Sequence, residues 1–182
     1  MYKKLFIVML LLLTMLSQSQ CLAKVKEQRD DFTGNAVFYT TFNTGFLGQC
    51  VGSVGYTFLK VANKDSSPQY FLDTYIVGSN GRVAFANEAN IKIGDKIYVL
   101  YLIKNNVESN PGGQVGVYGI SGEYRLSEEI INAIKQIPDY SFYPITIRTD
   151  IRGYYHDNED CFDTCKLKEN NFKEIQQILL KN

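Results

Sequence analysis

The first candidate for a chemically reactive side chain in this sequence is Cys50. It ends the segment Gly48-Gln49-Cys50 in a glycine-rich stretch. A thiol becomes a nucleophile when a neighbouring base or positive charge favours its thiolate. His156 is the only histidine in the sequence, so a Cys50 enzyme would have to recruit an imidazole from far along the chain. Because no complete catalytic motif is present, we expect Cys50 to be a structural or disulfide-bonded residue.

Three short segments nevertheless resemble a known enzyme class. Gly48-Gln49-Cys50 is followed by Ile93-Gly94-Asp95 and then by Gly113-Gln114-Val115-Gly116-Val117-Tyr118. This order is similar to that of the secreted papain-like cell-wall peptidases and amidases, the CHAP amidases among them. The resemblance implies Cys50 as nucleophile and a base on a strand that opens Gly-His-Val in the family. Gln114 stands at that base position, and an amide takes no proton from a thiol. The resemblance therefore implies an enzyme that uses His156, or a catalytically inactive relative.

The segment from His156 to Cys165 (His-Asp-Asn-Glu-Asp-Cys-Phe-Asp-Thr-Cys) is dense in metal-ligating atoms. Cys161 and Cys165 could flank a zinc ion with His156 as a third ligand, but in an oxidising compartment a disulfide competes for the same thiols. We therefore predict a solvated acidic loop with a structural disulfide, no metal and no cofactor. Either Cys161 pairs with Cys165, or Cys50 pairs with one of them. A bond from Cys50 is favoured because it would tie the C-terminal segment to the rest of the chain.

Residues 1–23 have the composition of an export signal. Lys3 and Lys4 give a positive start, an apolar run extends from Leu5 to Leu16, and Cys21-Leu22-Ala23 suits a peptidase that cuts after Ala23. The apolar run is shorter than the roughly 20 residues of a membrane-spanning helix. We therefore expect an extracytoplasmic protein, periplasmic or secreted, with no membrane span after cleavage. Lipid anchoring through Cys21 is not expected, because the large polar Gln20 precedes it.

Charge and composition narrow the classes of partner. Basic and acidic residues number 19 each, and two of the lysines belong to the leader, so the mature chain is slightly acidic. A near-neutral chain without a basic run does not suit nucleic acid or anionic lipid surfaces. The 13 Tyr and 11 Phe residues, with no Trp, favour β-structure.

The hydrophobic pattern predicts a flexible lead-in over residues 24–34 and a single domain over residues 35–182. Gly78-Ser79-Asn80-Gly81 predicts a tight hairpin turn, since Asn-Gly tolerates positive φ. The run from Lys96 to Ile103 is almost continuously apolar, which predicts a central strand buried on both faces. Further strands are predicted over 36–42, 56–62, 69–77, 82–85, 91–93, 114–120 and 143–149, the last at an edge or with Pro144 near its start.

Two helices are predicted late in the chain. Ser127 is an N-cap for a helix that ends at Pro138, and Asn171 with Glu174 resembles a capping box for the second helix. Their buried stripes are predicted to be Ile130, Ile131, Ile134 and Ile137, and Phe172, Ile175, Ile178 and Leu179. The fold class is therefore α+β: an antiparallel twisted sheet or partly closed, OB-like barrel with two late helices.

The expected function is binding of another exported protein, in the manner of an inhibitor or immunity protein, without enzymatic activity. The predicted binding residues are Asn105 and Asn106, in a loop expected to extend to Gly113, and Tyr154 and Tyr155, since Tyr is enriched at interfaces. Two alternatives stay open. One is an active or degenerate papain-like cell-wall peptidase or amidase relative that uses Cys50, and the other is a structural envelope component.

Overall fold

The structure, a computed structural model, describes residues 25–31, 33–43, 54–78, 84–109, 118–138, 145–152 and 161–181. Within these ranges the strands are β1 (Lys26–Arg29), β2 (Ala36–Asn43), β3 (Val54–Ala62), β4 (Gln69–Gly78), β5 (Ala84–Ile93), β6 (Lys96–Ser109), β7 (Tyr118–Leu126), β8 (Ile145–Arg152) and β9 (Cys161–Lys166). The helices are α1 (Glu128–Lys135) and α2 (Glu169–Leu180). Among the described residues no helix is long and apolar enough to cross a membrane.

These strands join in one antiparallel sheet in the order β1-β2-β3-β4-β7-β6-β5-β8-β9. The sheet is curled into a half-barrel, and both helices come late in the chain. The predicted α+β class, with a twisted or partly closed antiparallel sheet and two late helices, is confirmed.

The core lies on the concave inner face of the half-barrel. Alternate residues of each strand point inward, as the period of two requires, and β8 shows this clearly with Ile145, Ile147, Thr149 and Ile151 all buried. Phe38, Tyr56, Leu72 and Tyr124 are among the most completely buried large side chains of the other half of the sheet. Removing such a side chain from water contributes about 1.5–3 kcal/mol.

The two helices cover this inner face. The Ser127 side chain accepts a hydrogen bond from the Ile130 N–H and caps α1 as predicted. The predicted apolar stripe of α2 is buried. That helix begins earlier than predicted, however, with Lys168 rather than Asn171 at the N-cap position, because Leu167 is buried and leads the chain directly into the helix.

Buried polar contacts fix α2 on the sheet. Thr40 on β2 donates a hydrogen bond to Glu174 at 2.5 Å. Lys60 on β3 donates to the carbonyl oxygen of Lys181, just after the last turn of α2. A lysine at that position also suits the negative end of the helix dipole. Burial lowers the pKa of Lys60, and the nearby Lys135 of α1 adds to that effect.

One hydrogen bond shows how strongly the sheet curls. Tyr56 on β3 and Thr149 on β8 are joined through their hydroxyls at 2.8 Å, and both are buried. Four strands separate β3 from β8 in the sheet, so these side chains meet only because the inner face closes on itself.

The structure departs from two predictions about local structure. The strands on either side of Gly78-Ser79-Asn80-Gly81 do not pair with each other, because β4 lies between β3 and β7 whereas β5 lies between β6 and β8. Part of the lead-in, Lys26–Arg29, forms the edge strand β1 against β2. The prediction for Pro144 holds in its second form, because β8 begins at Ile145, immediately after Pro144, while β9 pairs with the far side of β8.

Candidate functional site

The strongest candidate for a functional surface is a row of apolar side chains on the convex outer face of β6. Ile97, Val99, Tyr101 and Ile103 are 63%, 43%, 64% and 52% exposed, and we call this row the β6 stripe. The prediction of a strand buried on both faces is wrong. Leu100 is buried on the inner face, but no described element covers the outer face of β6, since both helices lie on the other side of the sheet.

A β-bulge lengthens the stripe. The pairing of β6 with β7 shifts between Leu102 and Lys104, which face Tyr124 and Glu123 respectively. The extra residue makes Ile103 and Lys104 both exposed, where a regular strand would alternate. The stripe therefore continues through Ile103 and ends at Lys104, which lies opposite Glu123 on β7.

Charged residues flank the stripe on both neighbouring strands. On β5, Lys92 lies opposite Ile97 and Glu88 lies opposite Tyr101. On β7, Arg125 follows Tyr124, the partner of Leu102, so the continued register places Arg125 beside Tyr101. Glu88 and Arg125 are both exposed. Tyr101 thus stands between an acid and a base on opposite sides.

A second row of polar side chains crosses the outer face next to the stripe. Lys104 on β6 lies opposite Glu123 on β7, Glu123 lies opposite Asp73 on β4, and Asp73 lies opposite Thr57 on β3. Burial, and then the charge of Glu123, raise the pKa of Asp73 to about 6, with Lys104 acting in the opposite direction. Among the described residues, the Oδ1 atom of Asp73 is buried without a hydrogen-bond partner. At neutral pH two like charges therefore face each other beside the stripe.

A separate pocket of about 540 Å³ lies between the turn after β3 and the start of α1. Its polar lining includes Ser66, Ser67, Arg125 and Glu128. Arg125 is shared between this pocket and the flank of the β6 stripe.

Two of the predicted binding residues have a different setting from the one expected. Asn105 and Asn106 lie in β6, opposite Gly122 and Ser121 of β7, and not in a loop. The strand continues past Ile103 because β7 offers a full hydrogen-bonding edge, which outweighs the weak β-propensity of asparagine. Asn105 is exposed and Asn106 is half-buried. Tyr154 and Tyr155 lie outside the described residues.

The cysteine cluster is partly described. Cys50 and His156 lie outside the described residues, whereas Cys161 and Cys165 belong to β9, which replaces part of the predicted acidic loop. Cys165 is buried on the inner face, opposite Ile147. Four steps along an extended strand separate two Cα atoms by roughly 13 Å, which is too far for a disulfide or for two ligands of one zinc ion. Within the described ranges no three His, Cys, Asp or Glu residues are placed to hold a metal ion.

Sequence reasoning missed the β6 stripe and the Asp73–Glu123 pair. An unbroken apolar run does not show which face is covered, and residues 73 and 123 come together only through the β4–β7 pairing. The papain-like segments are also only partly described: Gly94 and Asp95 form the turn between β5 and β6. No family model, no curated protein and no solved structure matches the chain.

Proposed function

We propose that the protein is a non-enzymatic, exported binding protein, and that its β6 stripe docks on another exported polypeptide chain. The observation that carries the proposal is the stripe itself, four adjacent apolar side chains that are 43–64% exposed. Single exposed apolar residues are ordinary on protein surfaces. A continuous row of four is different, because together they present roughly 400 Å² of apolar surface, within the range of functional patches.

The stripe is held rigid before any partner arrives. Over residues 96–101, β6 pairs with β5, and from Leu102 onward it pairs with β7. A surface built on paired strands loses little conformational entropy on binding. Tyr101 is the most exposed member of the row, and a tyrosine with a large apolar face and a polar tip is a common anchor in protein interfaces.

The export part of the proposal rests on the leader of residues 1–23. Mass spectrometry of the protein collected outside the cytosol tests this export part of the proposal. A chain that begins at Lys24 is the expected product, and an uncleaved chain retained in the cytosol would contradict export.

Photo-crosslinking in cells that make and export the chain tests the docking surface. Benzoylphenylalanine replaces Val99 in the stripe or, as a matched control, Gln177 on the exposed side of α2. We expect a protein adduct from position 99 and none from position 177, because α2 lies on the opposite side of the sheet. Absence of an adduct at position 99, or equal adducts at both positions, would overturn the proposal.

A further inference from the structure

We infer that the chain docked on the β6 stripe is a second copy of this protein, related to the first by a twofold axis parallel to β6. The inference rests on the proposed docking function of the stripe. Its basis is the charge arrangement around Tyr101, with Glu88 on one side and Arg125 on the other.

The two charges are placed symmetrically about the strand. Glu88 lies on β5 directly opposite Tyr101, and the β6–β7 register, continued one residue beyond the Leu102–Tyr124 pair, brings Arg125 to the other side of the same residue. Neighbouring strands are about 4.8 Å apart, so the two side chains flank Tyr101 at similar distances. Both are exposed on the same outer face.

Neither charge forms an ion pair with another of the described residues. In the described part of the structure the ion pairs are Arg29–Glu27, Lys96–Glu129, Arg148–Asp150 and Lys173–Glu169. Glu88 and Arg125 take part in none of them. They are therefore free to pair across an interface.

A twofold rotation about an axis along β6 exchanges the β5 side with the β7 side. Glu88 then faces the partner's Arg125, and Arg125 faces the partner's Glu88, so one charge pair is formed twice. The same rotation stacks the stripe on its own copy, so that Tyr101 meets the Tyr101 of the second copy. Around Tyr101 the face therefore complements itself, which is what an isologous dimer requires, whereas a foreign partner would not need it.

The available area fits a reversible dimer. A standard interface buries about 800 Å² on each partner. The stripe supplies roughly half of that as apolar surface, and the exposed side chains of β5 and β7 on either side supply a polar rim. We therefore expect a dimer that dissociates at roughly micromolar concentrations.

Charge reversal tests the inference, with the mass of the full exported chain in solution measured by sedimentation velocity. The wild type should be dimeric, and Glu88→Arg or Arg125→Glu alone should raise the dissociation constant about tenfold or more. A one-to-one mixture of the two variants should restore the dimer. In the mixed dimer the arginine introduced at position 88 meets the glutamate introduced at position 125, while the native residues meet at the second pair. Lys166→Glu on β9, also an exposed position, should leave the dimer unchanged.

The outcomes separate this inference from the proposed function. A wild type that stays monomeric while position 99 crosslinks to a protein of different mass would overturn the dimer and leave the docking surface intact. A dimer insensitive to both reversals, or single variants not rescued by mixing, would also overturn the twofold arrangement. A monomer with no adduct at position 99 would overturn both.

Discussion

At the scale of single residues, Asp73 should make the protein less stable as the pH rises. Its folded pKa of about 6 lies above the ordinary value of 3.8, so the folded state holds the proton more tightly than the unfolded state. The stabilisation is complete below about pH 4 and is lost as the pH rises through about 6. Asp73→Asn cannot ionise, and we expect it to be more stable than the wild type at pH 7 by about 1 kcal/mol, a value reduced for the partial exposure of the side chain.

Urea denaturation between about pH 4 and pH 7.5 measures this effect. The difference in unfolding free energy between Asp73→Asn and the wild type should grow with pH. Asp65→Asn, at an exposed position in the turn after β3, is the matched control for the loss of one carboxylate. A constant difference for Asp73→Asn would mean that its carboxyl group titrates as an exposed one.

Residues whose role is local can be predicted from the sequence, and residues whose role depends on pairing cannot. Ser127 is recognisable because a cap acts on an N–H three residues away. Asp73 gives no signal, because its neighbour Glu123 is 50 residues distant in the chain and adjacent only through the sheet. The sequence predicts a capping role for Glu174, yet this residue is buried and accepts a hydrogen bond from Thr40.

At the scale of elements, the sequence predicts most strands but not their pairing. The Asn-Gly turn indicates a hairpin between β4 and β5, but these two strands do not pair. Instead β5 forms a hairpin with β6, through a turn that contains Gly94 at φ +58°. The residues of a turn determine the local backbone conformation, but they do not determine which strands pair in the sheet. The pairing is determined by burial of apolar side chains, because placing β7 beside β4 lets both strands line the core.

The strand β9 leads to a prediction about the cysteines. Because an extended β9 holds Cys161 and Cys165 roughly 13 Å apart, the two cannot bond to each other without breaking the strand. We expect that any intrachain disulfide in the protein joins Cys50 to one of them. Alkylation without reduction, followed by digestion and mass spectrometry, identifies the bonded peptides.

The Cys50→Ser variant is the control for this measurement. With Cys50 removed, Cys161 and Cys165 should both be recovered as thiols after alkylation under denaturing conditions. A bond between Cys161 and Cys165, in the wild type or in the variant, would contradict the extended strand. It would support the alternative pairing given by the sequence, in which Cys161 bonds to Cys165.

At the scale of the whole molecule, the class of fold follows from the sequence because it depends on patterns that repeat many times. Alternating strands and two amphipathic helices require an α+β arrangement whatever the order of the strands. The curl depends instead on single contacts between distant parts of the sheet. It decides which face becomes the core, and hence which face leaves the β6 stripe exposed.

The contact between Tyr56 and Thr149 tests that curl directly. Tyr56→Phe keeps the ring that stacks on Phe42 and removes the hydroxyl that meets Thr149 at 2.8 Å. Tyr56→Phe and Thr149→Val should each lower the unfolding free energy by about 1–2 kcal/mol. The double variant should lose less than the two single losses together, with a coupling of about 1 kcal/mol. Tyr56→Phe combined with Thr164→Val, at an exposed position on β9, should be additive. If the Tyr56–Thr149 pair were additive as well, β3 and β8 would not meet, and the sheet would be open rather than curled around its core.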